Sequence, residues 1–118
     1  MKAKSAKRSA GTVGVVGLGI MGGAFAKHLS AAGFKVTGFD IAPAAIKALK
    51  KLGGVAASSA AEVAASQKII ITSLPSYAAF EAALFGKDGI TAGAKRGTIV
   101  VEVSTLPLKL KEIGRAHV

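Results

Sequence analysis

Hydrophobic positions along this chain alternate between two spacings, and the alternation predicts its elements. Thr12 to Gly17 is a short β-branched run closed by glycine, as in a buried strand. From Ile20 to Ala32 the apolar residues Ile20, Phe25, Ala26, Leu29 and Ala32 fall at helical intervals, and Gly33 supplies a stop. Lys35 to Asp40 is a second strand. Pro43 suits the first turn of a second helix, with Ala45, Ile46 and Leu49 facing inward and Gly53-Gly54 ending it. Val55 to Ala57 is a weak third strand. Ser58 or Ser59 can cap a short helix through Ala65, and Ser59 with Glu62 has capping-box spacing.

Lys68 to Ser73 is the fourth strand, and Ser76 to Phe85 reads as a helix carrying Phe80 and Leu84 four residues apart. Residues 86–97 are loop-like, with one helical turn near Gly93. Thr98 to Val103 is the fifth strand, and a further helix is expected to begin after it. Strand and helix in strict succession specify an α/β, Rossmann-type doubly wound parallel sheet of order 3-2-1-4-5, with right-handed crossovers. The continuous runs Lys68-Ile-Ile-Ile and Thr98-Ile-Val-Val fit strands covered on both sides. The sheet is expected to be incomplete at its C-terminal side, which would leave an apolar edge and face uncovered.

Composition narrows the chemistry. The 118 residues make one domain at most, and 51% hydrophobic content is enough for a core. There is no cysteine, which excludes disulfides and thiolate chemistry. His28 and His117 are far apart, so no metal site is expected. The net charge of +10 sits mostly in the termini. Lys2, Lys4, Lys7 and Arg8 open the chain, and Lys109, Lys111 and Arg115 close it. Between Ser9 and Leu108 nine basic residues face five acidic ones. With no basic stripe interleaved with aromatics, a nucleic-acid partner is not expected. Residues 1–11 read as a basic flexible tail without the apolar stretch of a secretory signal. No apolar run reaches the roughly 20 residues of a membrane helix, and the protein is expected in the cytoplasm.

The chemistry lies in the turn Gly17-Leu18-Gly19-Ile20-Met21-Gly22. It closes a strand and opens a helix, the context in which G-x-G-x-x-G binds a dinucleotide. Gly17 permits the tight turn and Gly19 lets the backbone approach a pyrophosphate. Gly22 lets helix and strand pack closely, and the helix N-terminus offers its free N–H groups to the phosphates. Asp40 ends the second strand 18 residues after Gly22. A carboxylate there accepts hydrogen bonds from the adenosine ribose of NAD and repels the 2′-phosphate of NADP. No Arg or Lys follows before Lys47, so nothing nearby in the sequence favours NADP. FAD and S-adenosylmethionine use similar turns.

The run Val13-Gly-Val-Val-Gly-Leu-Gly-Ile-Met-Gly22, continued by Ala26 and Leu29, resembles the opening of the β-hydroxyacid dehydrogenases. This is the superfamily of 3-hydroxyisobutyrate and 6-phosphogluconate dehydrogenases. Ile71-Thr-Ser-Leu-Pro-Ser76 and Val101-Glu-Val-Ser-Thr105 also resemble it, so the likeness covers Thr12 to Leu110. It implies that Ile41, Ser73, Leu74, Pro75 and Thr105 join the turn and Asp40 around the cofactor. It puts Phe80 in the adenine pocket and gives Ser104 and Thr105 to the substrate. The bland reading of Ser104 and Thr105 is a helix cap. Glu102 stands where the family usually has Asp, and Pro107 comes one residue earlier than the usual proline.

The resemblance also implies a lysine that acts as general acid/base, in a later G-x-x-G-x-G-x-x-x-K segment, and an all-helical domain. That domain would make the parent protein a homodimer or homotetramer. Neither segment is among these residues, so no catalytic residue is assigned and residues 12–111 are expected to be a truncated NAD-binding domain. Ile113 to Val118 coincides with the in-frame translation of a common sequencing-adapter string, and residues 112–118 are expected to be non-native. The expected function is hydride transfer between a β-hydroxyacid and NAD. The alternatives are a stand-alone nucleotide-sensing module and an imine reductase of the same superfamily.

Overall fold

The computed structural model describes residues 11–103. Five parallel strands form one sheet: β1 (Gly11–Val16), β2 (Phe34–Phe39), β3 (Val55–Ala56), β4 (Ile69–Thr72) and β5 (Ile99–Glu102), in the order β3-β2-β1-β4-β5. The helical segments are α1 (Ile20–Ala31), α2 (Pro43–Lys51), α3 (Ala60–Ser66), α4 (Tyr77–Phe85) and α5 (Ile90–Gly93). Order, direction and element succession match the pattern read from the sequence. The expected serine cap of α3 is in place, and α4 has one too. Ser59 Oγ accepts from the Glu62 N–H at 3.0 Å, and Ser76 Oγ accepts from the Ala79 N–H at 3.1 Å. Glu62 completes its capping box one residue early, because its carboxylate accepts from the N–H and hydroxyl of Ser58 rather than from the cap residue.

Register explains the two cores. Val13, Val15 and Val36 point to one face of the sheet, where Ala26 of α1 and Leu49 of α2 cover them. Val16 and Ile70 point to the other face, against Val63 and Ala64 of α3, Phe80 and Leu84 of α4, and Ile90 of α5. Fully burying a side chain such as Ile70 or Val15 stabilises the fold by roughly 1.5–3 kcal/mol each.

Right-handed crossovers also decide what stays bare. The leftward steps β1→β2→β3 put α1 and α2 on one face, and the rightward steps through β4 and β5 put α3, α4 and α5 on the other. No described helix therefore covers the first face over β4 and β5. Ile69 and Ile99, paired in register, are exposed there, as is Val101 beside half-buried Ile71. The apolar runs of β4 and β5 suggested cover on both sides. Among the described residues they have it on one.

Candidate functional site

The strands end together at one rim of the sheet, and the glycine turn lies across that rim. Gly17 takes φ +97°, and a Cβ on it would lie 2.0 Å from the Ser73 carbonyl oxygen. A Cβ on Gly22 would lie 1.8 Å from the Gly17 carbonyl oxygen. Backbone fills both positions, so only glycine fits. Gly19 is the opposite case: a Cβ there would meet nothing within 4 Å. Its open side faces a cavity, and it caps α1 with no side-chain hydrogen bond and no acidic residue in the first turn. The N-terminal N–H groups of α1 and its positive dipole end are thus left for an anion.

The cavity has a volume of about 900 Å³. Gly17, Gly19, Ile20 and Met21 form one side of it. Asp40 and Ile41 follow β2, and Ser73, Leu74 and Pro75 follow β4. Nine residues expected at the cofactor therefore line one space, though they come from three separate loops. Ile20 is 97% exposed and Ile41 is 89% exposed, so two large apolar side chains stand in solvent at its walls.

Asp40 is held from two directions. Its Oδ2 accepts from the Leu18 N–H at 2.6 Å, and its Oδ1 accepts from the Ala42 N–H at 2.8 Å. The second bond is the turn-forming contact an aspartate makes with the residue two positions on. The first ties the end of β2 to the glycine turn, beside the Gly17 N–H donated to the Phe39 carbonyl at 2.9 Å. Leu18 contributes only this backbone group near the site, since its side chain is buried in the core. Gly22 is likewise buried and sets the packing beneath the turn.

One expectation needs correction. Phe80 was assigned to the adenine pocket, but its side chain is 5% exposed and belongs to the core with Leu84. The two sit four residues apart and share the sheet-facing side of α4. The cavity wall from this helix is instead Ala79, Ala82 and Ala83. Sequence reasoning also missed Ala42, Ala45 and Ala60, and the Gly86-Lys87-Asp88 turn. The usable signal was the small side chains at positions 79, 82 and 83, which repeat at helical spacing. Ser104 and Thr105, and the tail and adapter-like segments, lie outside the described residues. Among the described residues no acid–histidine cluster forms a metal site, and no helix is long and apolar enough to cross a membrane.

Residues 12–116 match the family described as the NAD binding domain of 6-phosphogluconate dehydrogenase. Mitochondrial 3-hydroxyisobutyrate dehydrogenase of Mus musculus is 38% identical over 104 residues, which are 87% of this chain and 31% of that protein. L-threonate dehydrogenase of Cupriavidus necator is 35% identical over 95 residues, 80% of this chain and 32% of that protein. The chain thus spans about a third of the length of these curated relatives. Among solved structures, 3-hydroxyisobutyrate dehydrogenase from Salmonella typhimurium superposes with TM-score 0.76 at 34% identity, covering 89% of this chain and 37% of that one. An imine reductase V8 variant from Myxococcus stipitatus, solved with NAD+, gives TM-score 0.77 at 25% identity, over 90% of this chain and 37% of that one.

Proposed function

The chain belongs to the family of NAD-binding domains of 6-phosphogluconate dehydrogenase, and we propose that it is the cofactor-binding part of an NAD-dependent β-hydroxyacid dehydrogenase. One observation carries the reading. Gly19 opens onto the cavity at the N-terminus of α1, and the Asp40 carboxylate stands in the same cavity wall. A dinucleotide needs both features, one for its pyrophosphate and one for its adenosine ribose. A structural turn with a surface aspartate needs neither the open Cβ position nor the cavity.

The residues present fit NAD. The N–H groups at the start of α1 take the phosphates, and Asp40 takes the ribose hydroxyls. Ser73, Leu74 and Pro75 flank the nicotinamide end, and the alanines of α2 and α4 leave room for adenine. Bound NAD supplies the hydride chemistry, while this chain binds and orients it and keeps water from the buried side. Ser104 and Thr105 follow β5 in sequence. They are proposed to hold the substrate's carboxylate or hydroxyl. The proton transfer is assigned to a lysine of the whole protein. That protein is proposed to be a cytoplasmic homodimer or homotetramer acting on a small hydroxyacid, with no nucleic-acid partner.

Titration with NADH tests the cofactor reading. Enhanced, blue-shifted nicotinamide fluorescence, or a saturable calorimetric signal, is expected and should disappear in Gly19→Val. The absence of any response in a folded sample would refute the reading. An imine reductase built on this domain would favour NADPH over NADH in the same titration, and the Asp40 charge argues against that outcome.

A further inference from the structure

The cavity wall contains a cation that linear reading places far from the site. Lys87 follows α4 in the turn from Gly86 to Gly89 and lines the same cavity as Asp40. The turn is anchored to the start of α3, where the Ala61 N–H donates to the Asp88 carbonyl at 2.8 Å. Neighbouring Ala60 is also in the wall. Because α3 follows β3, and β3 flanks β2 on the side away from β1, this anchor holds Lys87 toward the Asp40 end of the cavity. Lys87 is exposed and, among the described residues, has no hydrogen bond or ion pair. Among the described residues it is the one lysine or arginine that lines the cavity, whose lining also includes two carboxylates, Asp40 and Asp88.

We propose that Lys87 is a ready-made partner for a 2′-phosphate, so that the choice of NAD over NADP in this site rests on the Asp40 carboxylate alone. The inference rests on the reading of the cavity as a dinucleotide site. NAD and NADP differ by one phosphate on the adenosine ribose, and discrimination is the difference between the two affinities. Asp40 lowers the affinity for the phosphorylated form by repulsion. Sites that accept NADP add a cation near the ribose. The sequence after Asp40 offers none before Lys47, but the fold delivers Lys87 from a turn after α4. Its flexible four-carbon stem lets the ammonium follow the phosphate without a fixed fork geometry. Removing the Asp40 charge therefore leaves a site with the cation for NADP already installed.

The test is a two-residue cycle in the full chain, with Kd for NADH and NADPH measured for the wild type, Asp40→Asn, Lys87→Met and the double variant. Circular dichroism confirms folding, and Asp40→Ser serves as a second charge-removing variant. The wild type should prefer NADH by tenfold or more, and Asp40→Asn should bring NADPH within about threefold of NADH. Adding Lys87→Met should weaken NADPH at least fivefold more than NADH and flatten its salt dependence, whereas Lys87→Arg should retain NADPH. Equal NADPH affinity in Asp40→Asn with and without Lys87 overturns the inference and leaves the dinucleotide reading standing. Loss of NADH binding by the folded wild type overturns the dinucleotide reading itself.

Discussion

The Asp40 carboxylate accepts the backbone N–H of Leu18 at 2.6 Å, so the acid at the end of β2 braces the glycine turn at the end of β1. Under the proposed function, binding and architecture therefore share one side chain. Asp40→Ala should weaken NADH binding tenfold or more and also lower stability by about 1–2 kcal/mol, since charge-assisted hydrogen bonds to backbone are lost. Calorimetric titration and urea unfolding read the two effects separately. Weaker binding with unchanged stability would show that the brace has no energetic weight.

The glycines of the turn should separate by what each would meet. Gly22→Ala drives a Cβ into the Gly17 carbonyl and should cost more than about 2 kcal/mol or prevent folding. Gly19→Ala points into open space at φ −71° and should leave the melting temperature within a few degrees of the wild type. It should still impair NADH binding, because the methyl group occupies the ligand's side of the turn. Thermal melts with NADH titrations compare the two directly.

Thr72 is fully buried and its hydroxyl has no partner among the described residues. Thr72→Val keeps the shape and removes an unsatisfied polar atom. It should be neutral or stabilising by up to about 1 kcal/mol in urea unfolding. A loss of stability would show that the hydroxyl is paired in solution.

Hydrogen bonds from Ser58, first its backbone N–H and then its hydroxyl, hold the Glu62 carboxyl below its ordinary pKa. A carboxyl depressed in the folded state contributes stability above its unfolded pKa and loses it as pH falls through the folded value. Glu62→Gln should therefore lower the melting temperature at neutral pH and leave it nearly unchanged in acid, which narrows the difference between the two. An unchanged melting profile across that range would contradict this.

The exposed strip Ile69, Ile99 and Val101 should govern solubility without touching the cavity. Ile99→Lys with Val101→Thr should reduce aggregation in light scattering while leaving the NADH affinity within twofold. Persistent aggregation would point to another surface.

The fold was legible because its signals are local. A β-branched run ending in glycine, a proline at the start of α2 and the Ser59 cap each act within a few residues. The glycine turn and Asp40 were legible for the same reason, as fixed spacings with a defined chemistry. What escaped was convergence. Ala42, Ala45, Ala60, Ala79, Ala82 and Ala83 have no chemical signature apart from the cavity they line together. Lys87 escaped because charges were counted along the chain, while the crossover returns that residue to the rim from 47 positions beyond Asp40. One apolar residue was misplaced: Phe80 sits in the core where a pocket residue was expected.

Every described residue that lines the cavity lies between Val16 and Asp88, so this lining is spelled out in the chain before β5. On a ribosome making this polypeptide from its N-terminus, these lining groups emerge ahead of the strand that ends the described sheet. Nucleotide that favours the ordered crevice then shifts the nascent chain toward its folded state by mass action. Under the proposed function, the cell's nucleotide pool would act as a folding partner during synthesis, before any hydride moves.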